Sequence, residues 1–176
     1  MEKLTYLSKS KDFLYRLKYL QNKYSFWKSL QILWKTRKFK TEDCFVIICK
    51  FNKEYLIAKL KKDYEFCPGD WGFIDTIQRK HIKGKEPRKK VAFSLPFYYA
   101  GLNSKRIIKE TKPFHWLDKD SKFWWHIFSY LIKVNSKKYI INKKEKFSQF
   151  KWVKKEDFSK YSRKNYLEDI SKEVLR

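Results

Sequence analysis

The sequence predicts an α/β fold, in which an N-terminal helical arm precedes a domain of strands and two helices. Apolar residues between positions 13 and 34 recur at steps of three and four, the spacing of an amphipathic helix. Two apolar runs flank the dipeptide Asn52-Lys53, a pattern typical of paired strands joined by a tight turn. Helix-like segments at residues 87–100 and 163–175 alternate with further strand-like runs.

The arm is predicted to be one amphipathic helix over residues 13–34 with a basic outer face. A charged linker at residues 35–43 sets the boundary between an arm, residues 1–43, and a domain, residues 44–176. A lone helix must bury its apolar stripe, so we expect the stripe to dock on a neighbouring protein or in an RNA cleft. The residues expected to bind this partner are Phe13, Leu17, Leu20, Tyr24 and Trp27.

The domain is predicted to begin with a hairpin, followed by a short strand at Trp71-Gly72-Phe73 and a basic loop. The helix over residues 87–100 is expected to kink or end early at Pro96, because proline removes a backbone hydrogen bond and clashes with the preceding turn. The remaining elements are strands at residues 105–111, 123–134 and 149–153 and a closing helix at residues 163–175, with Leu167, Ile170 and Val174 inward.

Charge is the strongest compositional signal. The 176 residues include 43 Lys and Arg against 19 Asp and Glu, which gives a net charge of +24. Because phosphates relieve such self-repulsion, we expect a nucleic-acid partner. An apolar content of 43% with 19% aromatic residues argues against a disordered basic tail. The residues expected to bind RNA are Arg79, Lys80, Lys83, Lys85, Arg88, Lys89, Lys90, Lys137, Lys138, Lys143 and Lys144.

Residues 84–102, GKEPRKKVAFSLPFYYAGL, resemble the Nudix box, a motif of phosphate-hydrolysing enzymes written G-x5-E-x7-R-E-U-x-E-E-x-G-U, where U is a bulky aliphatic residue. Registered on its closing glycine, the box ends at Gly101-Leu102 and has its first glutamate at Glu86.

The core of this box lacks the carboxylates that its chemistry needs. The Arg-Glu pair reads Ser94-Leu95, and the Glu-Glu pair reads Tyr98-Tyr99. The family's glutamates hold the divalent metal that accompanies a diphosphate, since hard cations require several carboxylate oxygens. The sequence therefore predicts that the chain is not an enzyme and holds no cofactor or metal. The two tyrosines are expected in the core or at a protein contact, with stacking on splayed RNA bases as the alternative.

The order of elements resembles the Nudix α/β/α sandwich with a mixed sheet. Within that superfamily, the C-terminal half resembles the mitochondrial large-subunit ribosomal protein L46 family. The residues that carry this resemblance are residues 113–116, the aromatic strand beginning at Phe123, the segment 150–157 and the charged terminal stretch 161–175. The resemblance implies loss of hydrolase chemistry and a place on the large ribosomal subunit, in contact with rRNA and neighbouring proteins.

Other chemistries have weaker support in the sequence. His81, His115 and His126 fall on different elements with no partner for nucleophilic catalysis nearby. An unorthodox metal site could use Asp118, Asp120 and Glu86, but the two aspartates are typical of a turn cap. The three cysteines, Cys44, Cys49 and Cys67, are interpreted as reduced packing residues.

These patterns together predict a structural protein of the large subunit of the mitochondrial ribosome, working in the matrix. Its expected partners are rRNA and neighbouring ribosomal proteins, and no small-molecule substrate is expected. No membrane is expected either, since the most apolar run is too short to span a bilayer. The alternatives are a divergent, active Nudix hydrolase and an accessory subunit of another organellar complex.

Overall fold

The computed structural model describes residues 2–64, 67–77, 85–139, 146–161 and 166–175, with backbone alone for residues 2–11, 77, 85–88 and 105. The chain forms two compact units. Unit 1 comprises Met1–Asp43 and Pro113–Ile127, and unit 2 comprises Cys44–Lys112 and Phe128–Arg176. Unit 1 thus takes in residues 113–127, which the sequence analysis had placed in the domain.

The described residues form helices and strands that are distributed over both units. In chain order they are α1 (Glu2–Gln21), α2 (Phe26–Lys35), β1 (Lys40–Phe51), β2 (Glu54–Leu60), β3 (Trp71–Gly72), β4 (Ile74–Ile77), α3 (Lys85–Ala100), β5 (Ser104–Glu110), β6 (Phe114–Asp118), β7 (Phe123–Val134), β8 (Phe147–Lys154), a 3₁₀-helix (Lys155–Lys160) and α4 (Tyr166–Val174). β1 and β7 each contribute residues to both units. Within the described residues, no helix is long and apolar enough to cross a membrane.

The arm contains two helices, so the prediction of one helix over residues 13–34 is wrong. α1 ends at Gln21, and α2 begins after Ser25, which has the extended backbone of a helix N-cap. The amides of Lys23 and Tyr24 both bond to the carbonyl of Leu20, at 2.9 and 2.8 Å, and close the first helix. The predicted linker is also shorter than expected, because β1 begins at Lys40.

The core of unit 1 forms around Trp124 of β7, which is 0% exposed. Leu20 of α1, Leu33 of α2 and Leu117 of β6 pack with it in one cluster. The indole N–H of Trp124 donates to Oγ1 of Thr36 at 3.2 Å, and that hydroxyl donates in turn to the carbonyl of Ile32 at 2.8 Å. The break between the helices therefore lets both of them contribute to one small core.

Unit 2 contains a β-sheet with flanking helices. Its strand β1 is buried from Cys44 to Cys49. The strand order is β3-β2-β1-β7-β5, with β4 paired to β1 and β8 paired to β2. The predicted hairpin is confirmed, since Phe51 pairs with Glu54 across a turn in which Asn52 has a φ of 53°. The strands predicted at residues 105–111, 123–134 and 149–153 are confirmed as β5, β7 and β8.

Helices α3 and α4 cover unit 2. Leu167, Ile170 and Val174 are fully buried, which confirms the predicted inner face of α4. Gly72 of β3 lies under α4, and a Cβ atom there would come within 3.2 Å of the Tyr166 ring. The predicted strand at Trp71-Gly72-Phe73 is thus confirmed for Trp71–Gly72, and its glycine permits close packing of this helix on the sheet.

Helix α3 extends past Pro96 to Ala100, so the expectation that it would end early is wrong. Ala92 and Ala100, at helical spacing on either side of the proline, are buried in the main core. Pro96 is itself buried, so its ring packs on the same face. The packing of this face outweighs the one backbone hydrogen bond that proline removes.

Candidate functional site

The end of α3 has the backbone that the box frame requires. Gly101 adopts a φ of 62°, a left-handed conformation that glycine adopts without strain. The amides of Gly101 and Leu102 then bond to the carbonyls of Phe97 and Pro96 at 2.9 and 3.2 Å. Leu102 turns into the main core. The closing Gly-Leu pair therefore serves to end the helix and anchor it.

Aromatic and aliphatic side chains stand where the box would have carboxylates. Leu95 packs against the main core, and Tyr99 packs edge to face on Phe147 with ring centroids 5.0 Å apart. Tyr98 is exposed at the helix surface and touches the ring of Tyr99. These side chains do not fit the divalent metal that the Nudix fold implies, because leucine and tyrosine offer it no carboxylate oxygen. Among the described residues, no group of three or more His, Cys, Asp or Glu side chains could hold a metal ion.

A buried lysine lies next to this helix. Lys146 is 6% exposed, and its Nζ lies 2.7 Å from Oδ1 of Asp75 and donates to the backbone oxygen of Asp75 at 2.8 Å. The rings of Tyr64 and Phe147 lie 5.1 and 5.3 Å from the same ammonium group. We call Tyr64, Asp75, Tyr99, Lys146 and Phe147 the Lys146 cluster.

The Lys146 cluster places a protein cation near Tyr99, which occupies one of the glutamate positions of the box. Burial by itself lowers the pKa of Lys146, but the charge of Asp75, the charge of Tyr64 and the hydrogen bond to Asp75 raise it, and the net shift is upward. Burial likewise raises the pKa of Tyr99, a shift that the positive charge of Lys146 opposes. At neutral pH Lys146 therefore carries an ammonium group beside the carboxyl group of Asp75.

The sequence analysis did not single out Lys146 and missed this pair. Asp75 and Lys146 are 71 positions apart, so no local pattern joins them. The available signal was Asp75 itself, a carboxylate that directly follows the apolar residues Phe73 and Ile74, since a charge in that setting needs a partner.

The residues predicted to bind RNA fall into three groups. Arg79, Lys80, Lys83, Lys143 and Lys144 lie outside the described residues. Lys85, Arg88, Lys89 and Lys90 lie on the first turns of α3, and of these Lys90 is exposed. Lys137 and Lys138 are exposed after the end of β7.

Lys137 already has partners within unit 2. Its ammonium pairs with the carboxylate of Glu54 and lies 5.9 Å from the ring centroid of Phe51. Its backbone oxygen accepts the indole N–H of Trp152 at 3.0 Å. A phosphate at Lys137 would therefore compete with Glu54.

The stripe predicted to bind a partner is largely occupied within unit 1. Leu20 is 1% exposed, and Leu17 and Tyr24 pack against the same cluster, so the expectation of a free stripe is wrong for these three residues. The helix break at residues 22–25 is the physical reason, because it turns α2 back onto α1. Phe13 and Trp27 are exposed, and their role as partner contacts stays a prediction.

The histidines of unit 1 belong to a polar network that the sequence did not reveal. Asp12 Oδ1 lies 2.7 Å from His115 Nε2, and Asp43 Oδ1 lies 3.0 Å from His126 Nδ1. The two imidazoles stack with centroids 5.0 Å apart. Arg16 also pairs with Asp12 and donates to the hydroxyl of Thr41 at 2.6 Å. This network ties α1 and the start of β1 to the β6–β7 hairpin.

Asp118 caps a turn, which confirms one sequence-based interpretation. Its Oδ1 accepts the amides of Asp120 and Ser121 at 3.2 and 3.3 Å. His81 lies outside the described residues, as does the side chain of Glu86.

Comparison with solved structures shows a Nudix-like fold. A MutT NUDIX hydrolase from Burkholderia pseudomallei matches with a TM-score of 0.57 and 14% identity, over 74% of this chain and 98% of its own. A NUDIX hydrolase from Nitrosomonas europaea matches with a TM-score of 0.58 and 10% identity, over 77% of this chain and 92% of its own. A MutT protein from Methanosarcina mazei matches with a TM-score of 0.53 and 8% identity, over 77% and 94% respectively. No protein-family model matches the chain, and no curated protein matches it.

These neighbours contradict the prediction that the chain is not an enzyme. The proteins that share its fold include hydrolases from different bacteria. Missing box glutamates therefore do not suffice to exclude catalysis. At 8–14% identity the three likenesses establish the fold alone.

Proposed function

We propose that this chain is a component of the large subunit of a mitochondrial ribosome, where it contacts rRNA and neighbouring ribosomal proteins. The observation that carries the proposal is the excess of cations. If all 19 carboxylates each paired with one of the 43 Lys and Arg side chains, 24 cations (43 − 19) would still lack a carboxylate. Phosphates of a folded RNA would neutralise them and release bound counterions.

The surface of unit 2 supports this proposal. Exposed cations occur on or beside several of its elements. They are Lys53, Lys62, Lys90, Lys133, Lys138, Lys151, Lys154 and Lys155. Contact with phosphate at many separate points is the pattern of a protein embedded in a ribonucleoprotein, whereas an enzyme for a small anion needs cations only around one cleft. The sequence motifs by which residues 44–176 resemble a family of mitochondrial ribosomal proteins are the basis for proposing this assembly and this compartment.

Co-sedimentation tests the proposal directly. The tagged full chain, expressed in mitochondria, is expected to travel with the large ribosomal subunit on a sucrose gradient and to leave that fraction after nuclease treatment. A chain that stays at the top of the gradient under both conditions would contradict a ribosomal role. A matched control is a tagged matrix protein of similar size and low charge.

The second candidate is a divergent Nudix hydrolase, and the fold of the neighbours favours it. Glu86 stands at the first box glutamate, and Asp75 lies near Tyr99 of α3. The test is release of phosphate or pyrophosphate from nucleoside diphosphate derivatives with magnesium or manganese. Turnover that requires metal and disappears in Glu86→Gln, but survives in the exposed-surface control Glu156→Gln, would support this candidate. No metal-dependent turnover with any derivative would remove it.

A further inference from the structure

The outer face of α2 presents two indole rings to solvent. Trp27 and Trp34 are 75% and 70% exposed, among the most exposed large apolar side chains of the described residues. They are seven positions apart, so they lie about 20° from each other around the helix axis and about 10.5 Å apart along it. The opposite face of α2, with Ser29 and Leu33, is the one buried in unit 1. The indoles therefore contribute little to folding.

Cations accompany both indoles. Lys28 and Lys35, also seven positions apart, form a parallel row on the adjoining side of α2 and are exposed. The guanidinium of Arg37 lies 3.9 Å from the ring centroid of Trp34, so it covers one face of that ring and leaves the other for a planar ligand. Between Asp12 and Glu42 the chain has eight Lys and Arg residues and no Asp or Glu.

We propose that this face of α2 binds single-stranded RNA. Unpaired bases stack on Trp27 and Trp34, and Lys28, Lys35 and Arg37 neutralise the adjoining phosphates. Aromatic platforms within a basic surface bind single strands in this way, because every unpaired base has a π-face, whereas the bases of a duplex are already stacked. The identification of the partner as RNA rests on the proposed ribosomal function.

Two other occupants fit this face less well. A helix that lies in a membrane surface buries a continuous apolar face, whereas here Lys28, Gln31 and Lys35 adjoin the two indoles. A second copy of the chain would bring together two surfaces that both lack carboxylates over residues 13–41, and the charges would repel. An anionic, base-bearing strand complements both the charge and the rings.

The test measures binding of the full chain to a short single-stranded oligouridylate and to an RNA duplex of equal length. We expect the single strand to quench indole fluorescence. Trp27→Ala and Trp34→Ala are each expected to weaken single-strand binding at least about fivefold. Duplex binding should change little, and Trp→Phe at either position should restore most of the affinity, because a phenyl ring still stacks.

Phe97→Ala is the matched control, since it removes an exposed aromatic ring from α3 in unit 2. It should leave single-strand binding unchanged. Unaltered thermal melting of the Trp27 and Trp34 variants would show that they are folded, as expected for exposed side chains. The same variants are also tested for binding to phosphatidylserine vesicles and for self-association by analytical ultracentrifugation.

Three results would overturn the proposal. They are wild-type affinity for the single strand in both Trp→Ala variants, absence of single-strand binding by the wild type, and a loss confined to vesicle binding or self-association. The ribosomal proposal fails separately. If the chain does not co-sediment with the large subunit but the Trp→Ala variants still lose single-strand binding, then this face of α2 binds an RNA other than rRNA.

Discussion

Unit 1 spreads its buried polar contacts over a network of side chains, whereas unit 2 encloses one lysine–aspartate pair within aromatic packing. In unit 1, Asp12 is 35% exposed and is shared between Arg16 and His115. In unit 2, Lys146 is nearly excluded from water and depends on Asp75 for its charge partner. Removing one member of a shared, partly exposed network leaves the others paired, but removing either member of a buried pair leaves the other member buried without a partner. The two units should therefore respond differently to substitution and to pH.

The largest effect is expected from breaking the buried pair. Lys146→Met removes the ammonium partner of Asp75, which should lower the free energy of unfolding of unit 2 by about 3–5 kcal/mol. Asp75→Asn combined with Lys146→Met should recover much of that loss, because no uncompensated charge remains. Hydrogen exchange resolved by peptide measures unit 2 separately from unit 1.

Lys160→Met is the control for this prediction, since Lys160 pairs with Asp157 at an exposed position. It should lower the free energy of unfolding far less than Lys146→Met does, because solvent screens an exposed pair. If Lys146→Met were as mild as Lys160→Met, unit 2 would not depend on its buried pair, and the contrast between the units would fail.

A smaller effect is expected in the core of unit 1. Thr36→Val keeps the shape of the side chain but removes the acceptor of the Trp124 N–H, which should lower the free energy of unfolding by about 1–3 kcal/mol. Adding Trp124→Phe, which removes the donor as well, should cost less than the sum of the two single changes. Additive costs would mean that the hydrogen bond contributes nothing to unit 1. Thermal unfolding of the single and double variants gives the comparison.

The smallest effect concerns acid. Burial raises the pKa of Asp12, but the hydrogen bond with His115 and the charges of Arg16 and His115 lower it, and the net shift is below the ordinary value of 3.8. A carboxyl whose pKa is lowered on folding stabilises the folded state above its unfolded pKa and loses that effect as the pH falls through the folded value. Unit 1 should thus lose stability as the pH falls below about 4.

Asp12→Asn should remove this pH dependence. The difference at neutral pH is expected to be at most about 1 kcal/mol, because solvent screens a carboxyl that is one-third exposed. The measurement is hydrogen exchange of unit 1 peptides from neutral to acid pH. An acid profile identical in the wild type and in Asp12→Asn would show that other groups govern it.

Local patterns predicted much of unit 2. The β1–β2 hairpin needed only two apolar runs and the left-handed turn at Asn52, and the inner face of α4 followed from helical spacing. The two separate helices of unit 1 were not predicted, because the 3.6-residue periodicity of the sequence continues through residues 22–25, where α1 has already ended. The place of Trp124 among α1, α2 and β6 comes from contacts distant in sequence, which no window of residues contains.

The sequence predicted the backbone features of the candidate site but not the lysine–aspartate pair beside it. The Gly101-Leu102 ending and the missing glutamates can both be read from the sequence. The cation beside them cannot, because Lys146 resembles every other lysine of its segment until Asp75 is brought to it. The inference of inactivity failed for a related reason, since the fold of α3 and its sheet is shared with hydrolases despite the altered box.

The salt dependence of rRNA binding tests the proposed function most directly. We expect a steep linear fall of log K with log salt for the full chain. Replacing Arg79, Lys80, Lys83 and Lys85 with Ala should reduce the slope by about 0.7–0.9 for each lost phosphate contact. The control replaces four exposed lysines outside that segment, Lys112, Lys119, Lys122 and Lys172, and should change the slope less. A shallow slope in the wild type, or an unchanged slope in the first variant, would contradict rRNA binding through these residues.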